Sequence, residues 1–186
     1  MKDRFEVNII GLSESESQKG YYVLVLEEII SKKRIPLIIG QAEAQSIAIF
    51  MEKLFPSRPL SHDLFKSILL SLNATVKEVY IEKIINNTFY TTLVILDANQ
   101  ITHEIDARPS DAISLGLRFS KPIYISREVF ESAAFEVDEK GREKKGSYAE
   151  FSIKELEGLL EKLIKKEDYE SAVRVREAIE RRKSLE

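Results

Sequence analysis

The sequence predicts an α+β fold in which two β-β-β-α units share one curved mixed sheet with helices outside, followed by a C-terminal helical hairpin. Three observations carry this reading. Runs rich in β-branched and aromatic residues come in two sets of three, and each set leads into a segment whose apolar residues are spaced three and four apart. The second set also echoes the first at an offset of 68 residues, where Tyr22 falls on Tyr90, Glu43 on Asp111, Ala44 on Ala112, Ser46 on Ser114 and Ile49 on Leu117. Neither half alone could cover its sheet, so the two are expected to pack as one layered domain.

The elements follow in order. Residues 5–12 and 21–28 read as paired strands across the polar stretch Ser13 to Gly20, and the run from Arg34 to Ile39 gives a third strand that stops at Gly40. Ala44, Ile47, Ala48, Met51 and Leu54 then form a helix face, closed by Pro56. From Ser61 a second helix carries Leu64, Phe65, Ile68, Leu69 and Leu72, with Ser61 as its expected cap, Asp63 favourable to its dipole and Asn73 as its stop. Strands at 76–85 and 88–96 join through Asn86-Asn87, which tolerate left-handed turns. A strand at 101–106, a helix at 110–119 and a short strand at 122–125 complete the region, giving a first domain over 1–135.

Residues 136–150, with Gly141, Gly146 and alternating charges, read as a linker. Residues 151–186 read as two short helices, the first with Leu156, Leu159, Leu160, Leu163 and Ile164, the second with Ala172, Val173, Val175, Ala178 and Ile179 after an Asp168 cap. The material changes here, since residues 136–186 hold 27 of the chain's 59 Asp, Glu, Lys and Arg residues. Hairpins this small bury little, so docking onto a partner or a second copy is expected.

Composition narrows the function. The chain has no cysteine, which excludes disulfides, thiolate zinc sites and cysteine nucleophiles and suits a reducing compartment. Its two histidines, His62 and His103, leave Asp and Glu oxygens as the donors for any metal, which favours magnesium or manganese. No segment reads as a signal peptide or a membrane span, so a cytoplasmic protein with no membrane contact is expected. Glycine-rich phosphate loops, dinucleotide fingerprints and Gly-x-Ser-x-Gly elbows are missing, so no organic cofactor is expected. A net charge of −3 gives no general attraction to a polyanion.

Polar chemistry is concentrated at two Arg-Pro elements, Arg58-Pro59-Leu60-Ser61-His62-Asp63 and Ile105-Asp106-Ala107-Arg108-Pro109-Ser110-Asp111-Ala112-Ile113, each opening a helix. With Ile35-Pro36-Leu37-Ile38-Ile39-Gly40, Glu43-Ala44 and Phe89-Tyr90, these stretches resemble the bifunctional nuclease (BFN) domain family in its order, over roughly residues 5 to 133. The C-terminal pair, through Leu156, Leu160, Asp168-Tyr169-Glu170-Ser171-Ala172 and Arg176-Glu177-Ala178-Ile179, resembles the UVR motif, named for subunits of the excision nuclease, where it mediates subunit contact. The resemblance implies a duplicated α+β fold, assembly into a homo-oligomer, and nuclease activity on RNA and DNA of the kind reported for plant members. It supplies no settled catalytic set.

Phosphodiester hydrolysis needs an activated water and charge stabilisation on the phosphoryl oxygens. His62, Asp63, Asp106 and Asp111 are the candidate catalytic residues, Arg58 and Arg108 the candidate phosphate clamps, and Asp106, Asp111 and Glu43 the candidate ligands for Mg2+ or Mn2+. Each has a structural reading as well. Glu43, Asp63 and Asp111 suit first-turn dipole and capping roles, Arg108 a bridge to Asp106 or Asp111, and His62 an ordinary helix start. His103, on a face with Ile101 and Ile105, is expected in the core. The basic residues Arg174, Arg176, Arg181, Arg182 and Lys183 alternate with Glu170, Glu177 and Glu180 and read as a solvated helix face.

Two functions follow. One is a sequence-nonspecific nuclease acting on RNA or single-stranded DNA, with residues 151–186 recruiting another UVR-type protein or a second copy. The other is a non-catalytic oligomeric adaptor in which the Arg-Pro elements are structural corners.

Overall fold

The computed structural model describes residues 4–15, 18–86, 88–135, 151–165, 175–176, 178–180 and 183. The expectations for Asn87, for the linker 136–150 and for the Asp168 cap lie outside these residues. The chain divides into two compact units, 1–133 and 134–186. The first is α+β, built on a curved mixed sheet of seven strands in the order β3-β2-β1-β7-β4-β5-β6.

Strands β1 (Arg4–Glu14), β2 (Tyr21–Glu28) and β3 (Arg34–Gly40) form one antiparallel meander, and β4 (Thr75–Ile85), β5 (Thr88–Leu96) and β6 (Thr102–Ala107) form another. A short strand, β7 (Ile123–Ser126), joins them, antiparallel to β1 and parallel to β4. Ile123 and Ile125 are buried, as expected of a strand at the centre of a sheet. Each meander is followed by a helix, α1 (Gln41–Met51) after β3 and α3 (Pro109–Arg118) after β6, and these two helices pack against each other. Gly116 makes the fit of α3 on the sheet possible: a Cβ there would stand 2.7 Å from Val79 Cγ2. Leu24, Leu26, Ile35, Leu37, Ile47, Ile81 and Ile113 fill the core.

Helix α2 (Ser61–Ser71) lies between the two halves in sequence and packs on α3. Helix α4 (Arg127–Ala133) follows β7 without a break and stacks Phe130 on Phe5 at 4.2 Å between ring centroids; its seven residues give too short a period to be expected from sequence.

Several expectations are corrected. Helix α1 ends at Met51, so Leu54 lies beyond the helix face it was expected to share, and both side chains are exposed. Leu60, not Ser61, is the N-cap of α2, and the capping carboxylate is that of Asp63. His103 is exposed and bonds Asp97 at 3.0 Å; Ile101 and Ile105 are exposed with it, because β6 is the edge of the sheet.

In the second unit, α5 (Ile153–Lys165) opens on a capping box. Ser152 Oγ accepts from the Glu155 amide at 3.2 Å, and the Glu155 carboxylate accepts from the Ser152 amide at 2.7 Å. Leu156 is fully buried against Val175 and Ile179. Among the described residues no helix is long and apolar enough to cross a membrane.

Candidate functional site

Three helices of the first unit begin with the same device, an acidic residue at the third helical position: Glu43 in α1, Asp63 in α2 and Asp111 in α3. A carboxylate there meets amide hydrogens that lack an intrahelical partner and the positive end of the helix dipole. Asp63 reaches back to the Leu60 amide at 2.9 Å. Glu43 folds over Gly40, where a Cβ would collide with its carboxylate. Gly40 has an extended backbone, φ −72°, that any residue adopts, so the glycine supplies room rather than conformational freedom.

Two arginines and a histidine gather these carboxylates. Arg108, the N-cap of α3, is held by Pro109 at the first helical position and so projects from the helix start. Its NH2 donates to Glu43 Oε1 at 2.8 Å and its Nε to Asp111 Oδ2 at 2.7 Å. The hydrogen bond to Asp111, reinforced by the charges of Asp111 and Glu43, pushes the Arg108 guanidinium above its ordinary range. The side chain is nonetheless 66% exposed, and a guanidinium carries five N–H donors, so it keeps donors for a ligand.

His62 joins α1, α2 and α3. Its Nε2 stands 3.2 Å from Asp111 Oδ1 and its Nδ1 2.9 Å from Ser46 Oγ. An ionised carboxylate only accepts, so Nε2 carries the hydrogen, and in the neutral ring Nδ1 accepts from the Ser46 hydroxyl. Ser46 is buried, which keeps that lone pair from solvent and keeps Ser46 from serving as a nucleophile. His62 is therefore better placed to orient Asp111 than to abstract a proton from substrate.

Arg118 closes the other side of the cluster. Its side chain is 2% exposed; Nε donates to Asp63 Oδ1 at 2.6 Å, NH1 to the Ser114 carbonyl at 3.1 Å and NH2 to the Ser46 carbonyl at 3.4 Å. One buried guanidinium thus ties three helices together. Burial pushes the Asp63 carboxyl upward, but the Arg118 hydrogen bond, the Leu60 amide and the Arg118 and His62 charges outweigh it and hold Asp63 below the usual carboxylate range. Lys66 adds a bond to the Arg118 carbonyl at 2.6 Å.

Of the residues singled out from sequence, the fold brings Glu43, His62, Asp63, Arg108 and Asp111 into this one network. It does not bring in Arg58 or Asp106: both are exposed, and neither makes an ion pair among the described residues, Asp106 facing Thr92 across the β5–β6 ladder. Sequence reasoning missed Ser46 and Arg118. Arg118 falls two helical turns after Asp111 on the same face, and that spacing was the available signal.

The whole network lies within residues 24–138, the stretch matched by the model of the bifunctional nuclease domain. The match spans more than half of the chain, and the chain belongs to that family. It is also similar to two Mycobacterium tuberculosis proteins, uncharacterized protein MT1877 of strain CDC 1551 / Oshkosh and uncharacterized protein Rv1829 of strain ATCC 25618 / H37Rv. Each is 34% identical over 138 residues, which cover 74% of this chain and 81% of the relative.

Proposed function

We propose that this protein is a nuclease that hydrolyses phosphodiester bonds in RNA or single-stranded DNA without strong sequence preference, using the cluster at the starts of α1, α2 and α3. The observation that carries the reading is Arg108: an exposed guanidinium at a helix start, next to a carboxylate about a third exposed that a histidine orients. Arg108 takes the phosphoryl oxygens; Asp111, oriented by His62, accepts a proton from the attacking water as the new P–O bond forms and the ester P–O bond breaks, and the leaving oxygen takes a proton from solvent. Asp63 and Arg118 fix α2, and with it His62. Membership of the bifunctional nuclease domain family supports the same reading.

The magnesium or manganese expectation does not enter the proposed step. Glu43 and Asp111 are brought to one guanidinium, but among the described residues no three His, Asp or Glu side chains converge as metal ligands would. Glu43 and Asp111 already share Arg108, and Asp106 stands outside the cluster, so these residues do not fit a resident ion and the proposed step uses the guanidinium alone. In the second unit, the burial of Leu156 against Val175 and Ile179 supports a UVR-like helical hairpin that contacts another UVR-type protein or a second copy. The recurrence of β-β-β-α, with Glu43 and Asp111 at matching positions, supports an origin by duplication. A cytoplasmic homo-oligomer completes the reading.

The test is a cleavage time course on labelled single-stranded RNA and DNA with magnesium, manganese or EDTA, comparing wild type with Asp111→Asn and Arg108→Gln of verified fold. Loss of cleavage by about a hundredfold or more in both variants is expected. The adaptor reading is favoured by one observation, that both ring nitrogens of His62 and both oxygens of Asp111 already have partners. It prevails if no condition gives cleavage, or if the variants cleave as wild type does.

A further inference from the structure

We infer that the outward face of α2 is the surface through which two copies of this chain associate. This gives a surface to the homo-oligomer proposed above and rests on that part of the reading, not on hydrolysis. An amphipathic helix ordinarily turns its apolar stripe inward, and α2 does the reverse. At 3.6 residues per turn His62, Lys66 and Leu69 fall on one row, and that row faces the protein: His62 bonds Ser46 and Asp111, and Lys66 bonds the Arg118 carbonyl. Leu64, Ile68 and Leu72 form the opposite row with Phe65 beside it, and they are 55%, 43%, 63% and 54% exposed. No residue of α2 is buried. The connection that leads into the helix adds Leu54 at 59% and Phe55 at 93% exposed.

Taken at roughly 200 Å² for a whole residue of this size, these six leave on the order of 700 Å² of apolar surface. That exceeds the largest patch of a typical monomer, about 300–600 Å², and approaches the roughly 800 Å² each partner gives to a standard interface. The chemistry of the row points to a second copy. The helical row carries Ser61, Leu64, Phe65, Ile68 and Leu72 and no ionisable group, and the connection beside it adds exposed Glu52, Lys53 and Arg58, too few and too mixed in sign to draw a polyanion or an anionic lipid surface. Set against itself across a two-fold axis the row brings no like charges together, and the two helix dipoles run antiparallel. The assembly has a consequence for the cluster. An 11-residue helix held to its own fold by polar links is marginal, and apolar burial against a second α2 would fix the helix that carries His62 and Asp63.

The experiment is sedimentation equilibrium of the full chain and of the Phe65→Glu/Leu72→Glu double variant, with circular dichroism to verify the fold. Both side chains point away from the core, so the variant should keep its spectrum and associate roughly a hundredfold or more weakly. The chain has no cysteine, so single substitutions give an independent reading: Ile68→Cys should form a cross-linked dimer on mild oxidation, and Glu104→Cys on the exposed β6 should not. An assembly that survives the double variant, or cross-linking equal at both positions, would refute the assignment. A monomeric wild type would overturn it too, and if that monomer bound phosphatidylcholine vesicles while the variant did not, the face would belong to a lipid surface.

Discussion

Helix α3 begins and ends with an arginine bonded to an aspartate, and the two pairs sit in opposite surroundings. At its end Arg118 is 2% exposed and spends its donors on Asp63 and two carbonyls from two further turns of chain. At its start Arg108 is 66% exposed and holds Glu43 and Asp111 from outside. The same side-chain chemistry therefore does two jobs. A buried guanidinium shared by three helices fixes their arrangement, whereas an exposed one over two largely covered carboxylates is available to something arriving from solvent.

The largest effect should come from the buried pair. Arg118→Met removes the donor to Asp63 and leaves the Ser46 and Ser114 carbonyls without it, for an expected loss of about 3 kcal/mol in urea unfolding. Hydrogen exchange in α2 should rise, since that helix has no buried residue to hold it. Arg118→Lys should rescue little, because a point ammonium cannot serve three acceptors in the guanidinium's plane. Arg108→Gln tests the other end. Stability should change by under about 1 kcal/mol, while cleavage should fall by about a hundredfold. A variant of Arg108 that unfolded the protein would break the comparison.

The same glycine-to-alanine change sharpens it. Gly116 lies at the packed end, and the added Cβ would meet Val79 Cγ2 at 2.7 Å, inside the helix–sheet contact, so Gly116→Ala should cost about 1–3 kcal/mol. Gly40 lies at the open end, where the obstacle is the Glu43 carboxylate, the far end of a flexible side chain. Gly40→Ala should cost under about 1 kcal/mol in thermal unfolding, and should free Arg108 from Glu43 without releasing it from Asp111.

What the sequence revealed of this contrast was one-sided. The open end was legible: Arg108, Asp111, His62 and Glu43 stand beside helix starts, and helix starts have local signatures. The packed end was not. Arg118 reads as a basic residue in a last helical turn, suited to the dipole and to solvent, and its partner Asp63 comes 55 positions earlier. His103 was misread for a related reason. Alternation identifies a strand face but not whether anything covers it, and β6 is an edge. The strands and α1 to α3 followed from composition, periodicity and the residues at their ends; the exposure of Leu64, Phe65 and Ile68 did not, because the period of a helix is the same whether its apolar row meets the core or another molecule.

The smallest expected effect separates the pairs by acidity. Asp63 is held below the usual carboxylate range in the folded protein, despite burial that alone would raise it. A group with a lowered folded pKa contributes stability that is fully present above its unfolded value, about 4, and lost as pH falls through the folded value. Wild type should therefore lose stability below about pH 4 more steeply than Asp63→Asn, in urea midpoints taken from pH 7 to pH 2. At neutral pH the variant should be the weaker of the two, since Arg118 then lacks its anion, and the curves should converge in acid. About a third of the Asp63 side chain is exposed, so water and salt screen the pair and the difference stays well below that of Arg118→Met. Parallel acid limbs would mean that the guanidinium of Arg118 chiefly ties α1 to α3 through the Ser46 and Ser114 carbonyls, and that Asp63 serves α2 mainly as its cap.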